Sequence, residues 1–152
     1  MNITEGGLGD PGVVALLGEH LRGMAAHSPP ESIHALDIEG LKAANITFWT
    51  MREGDEVLGC IALKQLDDTH CEIKSMRTAS AHLRKGVASA LLAHVLEAAR
   101  HCSCTRISLE TGSGPGFEAA HALYCKFGFV ECVPFADYRE DPFSRFMTLE
   151  LR

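Results

Sequence analysis

The chain is poor in aromatic residues, 7% of the total with one tryptophan and two tyrosines, and it holds only six prolines. No apolar run approaches the roughly 20 residues that a membrane-crossing helix needs. The opening segment MNITEGGLGDPG lacks the basic start and apolar middle of a secretory signal, so a soluble cytoplasmic protein is expected. Basic charge is also scarce: 14 Lys and Arg stand against 20 Asp and Glu, giving a net charge of −6. That balance argues against a nucleic-acid surface and suits a cationic small molecule. No Gly-Lys-Ser/Thr follows the one promising glycine turn and no G-x-G-x-x-G occurs, which weakens an ATP-binding reading. The six cysteines fall mostly in apolar segments and are expected as small core residues with free thiols. Cys102-Ser103-Cys104 beside His101 is too tight for the usual zinc spacing and has no second pair, so no metal is expected. Repeats, low-complexity tracts and internal linkers are absent.

What is present centres on residues 71–100, CEIKSMRTASAHLRKGVASALLAHVLEAAR. Cys71–Thr78 is strand-like, but its apolar Ile73 and Met76 lie three apart. Strict alternation would put them on opposite faces, so a β-bulge near Lys74–Ser75 is expected. Such a bulge frees main-chain N–H and C=O groups for a ligand. Val87, Leu91, Leu92, Val95 and Ala99 then recur at helical spacing behind Gly86. A glycine there lets backbone approach a bulky group, and the helix start aims its free N–H groups at the same spot. The pattern predicts a phosphate or pyrophosphate site.

At 152 residues the chain fits one domain with a real core. Asp10-Pro11 predicts a helix start, with Val14, Leu17, Leu21 and Met24 as its apolar stripe and Ser28-Pro29-Pro30 as its end. Residues 31–44 read as a loop with one or two helical turns. Residues 46–51 and 57–66 form a predicted hairpin around Glu53-Gly54-Asp55. Residues 106–110 are a further strand and 111–116 a flexible link. Residues 117–127 are a helix closed by Gly128, with Phe129 as its apolar cap partner. Residues 130–135 and 145–151 read as a final antiparallel pair.

The strand, glycine turn and helix at 71–100, followed by Ala120-His121-Ala122-Leu123-Tyr124-Cys125-Lys126-Phe127-Gly128-Phe129, resemble the GNAT superfamily of acyl-CoA-dependent N-acetyltransferases. The family's late signature, roughly Ala-x-x-Leu-Tyr-x-x-x-Gly-Phe, is matched by Ala120, Leu123, Tyr124, Gly128 and Phe129. Its phosphate-loop pattern, Arg/Gln-x-x-Gly-x-Gly/Ala, is matched by Gly86 and Ala88. Leu83 stands where Arg or Gln is usual, Arg84 where a further glycine is common, and Phe117 where an asparagine that touches the cofactor is common. The resemblance implies a single α/β domain, residues 1–152, with a mixed, twisted sheet of six or seven strands and helices on both faces. It implies acetyl-CoA as co-substrate, its pantetheine arm along the backbone of Met76, Arg77 and Thr78. The pyrophosphate would rest on the amides of Arg84, Lys85, Gly86, Val87, Ala88 and Ser89. A homodimer through the last strands is also implied.

Acetyl transfer to an amine requires a base, because an alkylammonium with a pKa of about 10 has no free lone pair, and an acid for the departing thiolate. Tyr124 is the candidate acid, mostly on the resemblance. Glu72 and Glu110, on the two strands that would flank the acyl group, are the candidate bases, with Glu72 ahead and His20 and His34 as outside candidates. Arg22, His34 and Tyr138 are candidate acceptor contacts. Arg22, Arg139 and Arg145 could clamp an anionic group, whereas Glu31, Asp137 and Asp141 could attract an amine. The expected activity is N-acetylation of a small-molecule amine; the alternative is a non-catalytic acyl-CoA sensor or protein-interaction module of the same fold.

Overall fold

In the computed structural model, which describes residues 1–32 and 36–151, seven strands make one mixed sheet crossed on both faces by helices. The strands are β1 (Asn2–Glu5), β2 (Ile46–Glu53), β3 (Glu56–Gln65), β4 (His70–Thr78), β5 (Arg106–Gly112), β6 (Val130–Glu131) and β7 (Ser144–Glu150). The helices are α1 (Pro11–His27), α2 (Ile38–Leu41), α3 (Val87–His101) and α4 (Glu118–Lys126). Sheet order is β1-β2-β3-β4-β5-β7-β6, with β4 and β5 parallel and every other neighbouring pair antiparallel. The parallel pair needs a crossover, and α3 supplies it.

The core divides by sheet face. Val87, Leu91, Leu92, Val95, Leu96 and Ala99 of α3 pack with Tyr124 of α4 on Trp49, Ile61, Ile73, Ile107, Leu109 and Met147. On the other face Val13, Leu16 and Leu17 of α1 meet Phe48, Cys60, Ala62 and Leu41. Asp10 caps α1 by accepting from the Gly12 amide at 2.8 Å, and Ser28 ends it in an extended conformation, as the flanking prolines require.

Four sequence expectations shift. Strand β1 was not anticipated; its four residues gain their partners only by pairing with Trp49–Arg52. The stripe of α1 is Val13, Leu16 and Leu17, while Val14 is 42% exposed. The inward face runs through His20, a polar residue that hides the true stripe from a hydrophobicity pattern. Strand β6 stops at Glu131 rather than residue 135. The expectation of six free thiols also changes: Cys71 and Cys104 form a disulfide, their Cα atoms 6.3 Å apart, and Cys60, Cys102, Cys125 and Cys132 are free.

Candidate active site

The site begins where two strands part. β4 and β5 pair from His70↔Arg106 to Ile73↔Leu109 and no further. Past that point β4 stays with β3 (Cys60↔Arg77, Gly59↔Thr78) while β5 stays with β7 as far as Gly112↔Ser144. The bulge lies where the apolar spacing predicted it: the β3–β4 register shifts between Cys60 and Ala62, and Ser75 takes φ +55°. One extra residue turns β4 away from β5 and leaves its facing edge, residues 75–78, without a strand partner among the described residues.

The gap opens into a cavity of about 110 Å³ that reaches through the sheet. Phe117, Ala120 and Tyr124 line it from the α4 side, His20, Met24 and Tyr138 from the α1 side, with Glu72, Lys74 and Glu110 between. A second chamber of about 330 Å³ adjoins it behind Tyr138, sharing Glu72 and Lys74 and rimmed by Glu31, Lys64 and residues 136–141.

Beyond Thr78 the chain turns into α3 through a concave loop. Gly86 holds φ +82°, a left-handed conformation that suits glycine, and Arg84 holds φ +63°. Position 84 is thus left-handed even with an arginine in it. Ala90 donates to the Gly86 carbonyl at 3.0 Å, and no amide of residues 84–89 donates to a backbone acceptor among the described residues. Buried Val87 anchors the turn in the core, while small Ala88 and Ser89 leave the helix start open. Six free amides at the positive end of a fifteen-residue helix fit a diphosphate, and the unpaired β4 edge fits an extended amide-bearing arm. Side chains add little: Leu83 is 59% exposed, Lys85 lies 3.2 Å from His82 Nδ1, and Arg77 turns toward α1 to donate to Glu19 at 3.2 Å.

Tyr124 is held by the end of its own helix. Phe129 N–H donates to the Tyr124 carbonyl and Gly128 N–H to that of Cys125, both at 3.0 Å, with Gly128 at φ +98°. This is the predicted glycine cap, and it seats the Phe129 ring edge-on to Tyr124 at 5.6 Å. The Tyr124 hydroxyl has no hydrogen-bond partner among the described residues, and burial pushes its pKa above the ordinary tyrosine value. It is a neutral donor facing the cavity.

The two carboxylates differ. Glu72, 2% exposed, accepts from the Tyr138 hydroxyl at 2.5 Å and pairs with Lys74 Nζ at 3.3 Å. Lys74 in turn donates to Tyr138 Oη at 2.9 Å, closing a triangle. Glu110 Oε2 is buried without a hydrogen-bond partner of good geometry among the described residues, and burial pushes the Glu110 pKa up to about 7 against the nearby Ser144 hydroxyl and Lys74 charge, which pull it down. His20 is driven the other way, to about 4, by burial and then by the charge of Arg77, so its imidazole is neutral in the cavity wall.

Of the predicted acceptor contacts, Tyr138 lines the cavity, Arg22 sits exposed on α1 away from it, and His34 lies outside the described residues. Arg145 is engaged elsewhere, with His121 at 2.7 Å and with Glu131. Lys74, Ser75 and His20 join the site from positions whose side chains carry no motif of their own.

Residues 14–129 match the acetyltransferase (GNAT) family. The uncharacterized N-acetyltransferase YsnE of Bacillus subtilis (strain 168) is 58% identical over 139 residues, 91% of this chain and 92% of the relative. The uncharacterized N-acetyltransferase YedL of Escherichia coli (strain K12) is 54% identical over 141 residues, 93% and 89% of the two chains. Among solved structures, a protein of Klebsiella pneumoniae subsp. pneumoniae MGH 78578 assigned as an acyl-CoA N-acyltransferase superposes with a TM-score of 0.79 at 26% identity, covering 99% of this chain and 97% of its own. Parted strands, a main-chain cradle and close relatives along nine-tenths of the sequence agree: the chain belongs to the acetyltransferase (GNAT) family and is an acyl-CoA-dependent acetyltransferase.

Proposed function

We propose that the chain acetylates the amine of a small molecule by direct attack, using acetyl-CoA held on the amides of residues 84–89 and along the β4 edge at Met76–Thr78. The observation that carries this reading is that Glu110, whose Oε2 is buried without a hydrogen-bond partner among the described residues, and the neutral Tyr124 line one cavity where β4 and β5 part. Bound acetyl-CoA supplies a thioester whose C–S bond breaks as the N–C bond to the amine forms. Glu110 takes the proton that the attacking ammonium must lose, directly or through one water. Its affinity for that proton, near neutrality, is matched to the task. Tyr124 holds a proton at Oη for the departing sulfur, whose thiol has a pKa of about 8.5. In this reading a main-chain N–H freed by the Ser75 bulge donates to the developing oxyanion.

Glu72 is less suited to the base role, because its charge is already held by Lys74 and Tyr138. We assign that triangle to shaping the acceptor side, between the cavity and the larger chamber. The test is thiol release from acetyl-CoA across a panel of primary amines. Saturable release with at least one amine, rising with pH through about 7 and losing that limb in Glu110→Gln, is expected. Background release with every amine would refute the reading.

A further inference from the structure

A buried histidine on α4 stands outside the acetyl-transfer chemistry. His121 lies on α4 one turn before Tyr124, is 6% exposed, and is bonded through both ring nitrogens. Arg145 Nη1 lies 2.7 Å from His121 Nδ1. A guanidinium can only donate, so Nδ1 accepts and the ring proton sits on Nε2. Nε2 is 2.7 Å from Thr111 Oγ1 and 3.0 Å from the Gly112 carbonyl. Thr111 gives its own hydroxyl proton to Gly112 at 2.6 Å, which leaves its oxygen free to accept from His121. Arg145 extends the chain to Glu131. Four elements are therefore tied through one imidazole: β6 and β7 on one side, the end of β5 on the other, and α4 in the middle.

The position of this tie matters. Residues three apart on a helix share a face, so His121 and Tyr124 approach the sheet together. Thr111 and Gly112 follow Glu110 on β5 and themselves line the cavity. Burial, followed by the charge of Arg145, lowers the His121 pKa and keeps the ring neutral, as its two bonds require.

We propose that His121 is a positioning residue that clamps the helix carrying the acid, Tyr124, to the strand carrying the base, Glu110, and so sets the width of the reactive gap. The catalytic consequence rests on the acetyl-transfer reading; the clamp itself does not. With two tyrosines in the chain, tyrosine labelled with ¹³C at Cζ gives two resonances, assigned with Tyr138→Phe. The Tyr124 resonance in the unmodified protein should not titrate up to about pH 11, as burial demands. In His121→Leu it should titrate below that, while Tyr138 stays unchanged. His121→Gln, which keeps a donor near Thr111, should restore wild-type behaviour. Thr111→Val, close in volume but lacking the acceptor, should copy the leucine variant and serves if His121→Leu does not fold.

In turnover with acetyl-CoA and the best amine of the panel, kcat should fall about 10-fold in His121→Leu with KM for acetyl-CoA within about twofold. The added cost of Tyr124→Phe should then shrink to less than about threefold. An unaltered Tyr124 titration in both His121→Leu and Thr111→Val, or a full Tyr124→Phe penalty in those backgrounds, would overturn the clamp. Should Tyr124→Phe cost nothing in the unmodified protein, the acid assignment fails, and the resonance still decides the clamp.

Discussion

The two sides of the gap between β4 and β5 are made of different material. On the side we assign to the cofactor the groups on offer are main-chain: amides of 84–89 and the edge of β4 beyond Lys74. On the side we assign to the acceptor they are side chains: Glu110, the Glu72–Lys74–Tyr138 triangle and neutral His20. Backbone donors persist through most substitutions as long as the turn keeps its φ angles. Side-chain constellations change with every substitution. A cradle of the first kind suits a constant co-substrate, and a wall of the second kind lets acceptor choice vary on the same fold.

This contrast is broken most severely at Gly86. Gly86→Val places a β-branched residue at φ +82° at the mouth of the cradle. Coenzyme A affinity should drop on the order of 100-fold by titration calorimetry, with folding checked by circular dichroism. Retained affinity would show that side chains hold the cofactor.

Next in size is Glu110→Gln on the acceptor side, expected to lower kcat/KM about 100-fold at pH 8 and leave coenzyme A affinity intact. The same change has a stability signature of opposite sense. The folded pKa of Glu110, about 7, exceeds its ordinary value of 4.5, so its contribution is fully present below about 4.5 and lost as pH rises through 7. Removing the charge should therefore raise unfolding free energy by about 1–3 kcal/mol at pH 9 and change it little at pH 4. Denaturant titrations at the two pH values check this.

Tyr124→Phe should slow turnover about 10-fold while cofactor binding persists, since in the proposed mechanism the missing atom serves only the departing sulfur. The smallest effect sharpens the contrast most. Leu83→Ala should change coenzyme A affinity by less than about twofold, because the exposed Leu83 side chain adds nothing that amides do not already provide.

The same division explains what could be read before folding. Gly86 ahead of a 3.6-residue apolar repeat, the Ile73–Met76 spacing and Gly128 before Phe129 are local signals, and α3, the Ser75 bulge and the α4 cap follow from them. The acceptor wall is assembled from afar. Tyr138 meets Glu72 across 66 residues and Lys74 across 64, and no local pattern announces either contact. Strand position alone puts Glu72 ahead of Glu110 as base, and a pairing with neighbouring Lys74 is open to a sequence reading, whereas the Tyr138 bond that completes the triangle is set by the fold. His20 shows the converse: a polar residue on an apolar face disguised the stripe of α1 and, with it, the helix's role as a cavity wall. Strand β1 and the Cys71–Cys104 pair likewise depend on distant partners.

The most direct measurement is a crystal structure with coenzyme A bound. The pyrophosphate should accept hydrogen bonds from amides between Arg84 and Ser89, the pantetheine arm should pair with β4 beside Met76–Thr78, and the sulfur should end near Tyr124 Oη. Coenzyme A bound elsewhere on the chain, or held by side chains with those amides left vacant, would contradict the account.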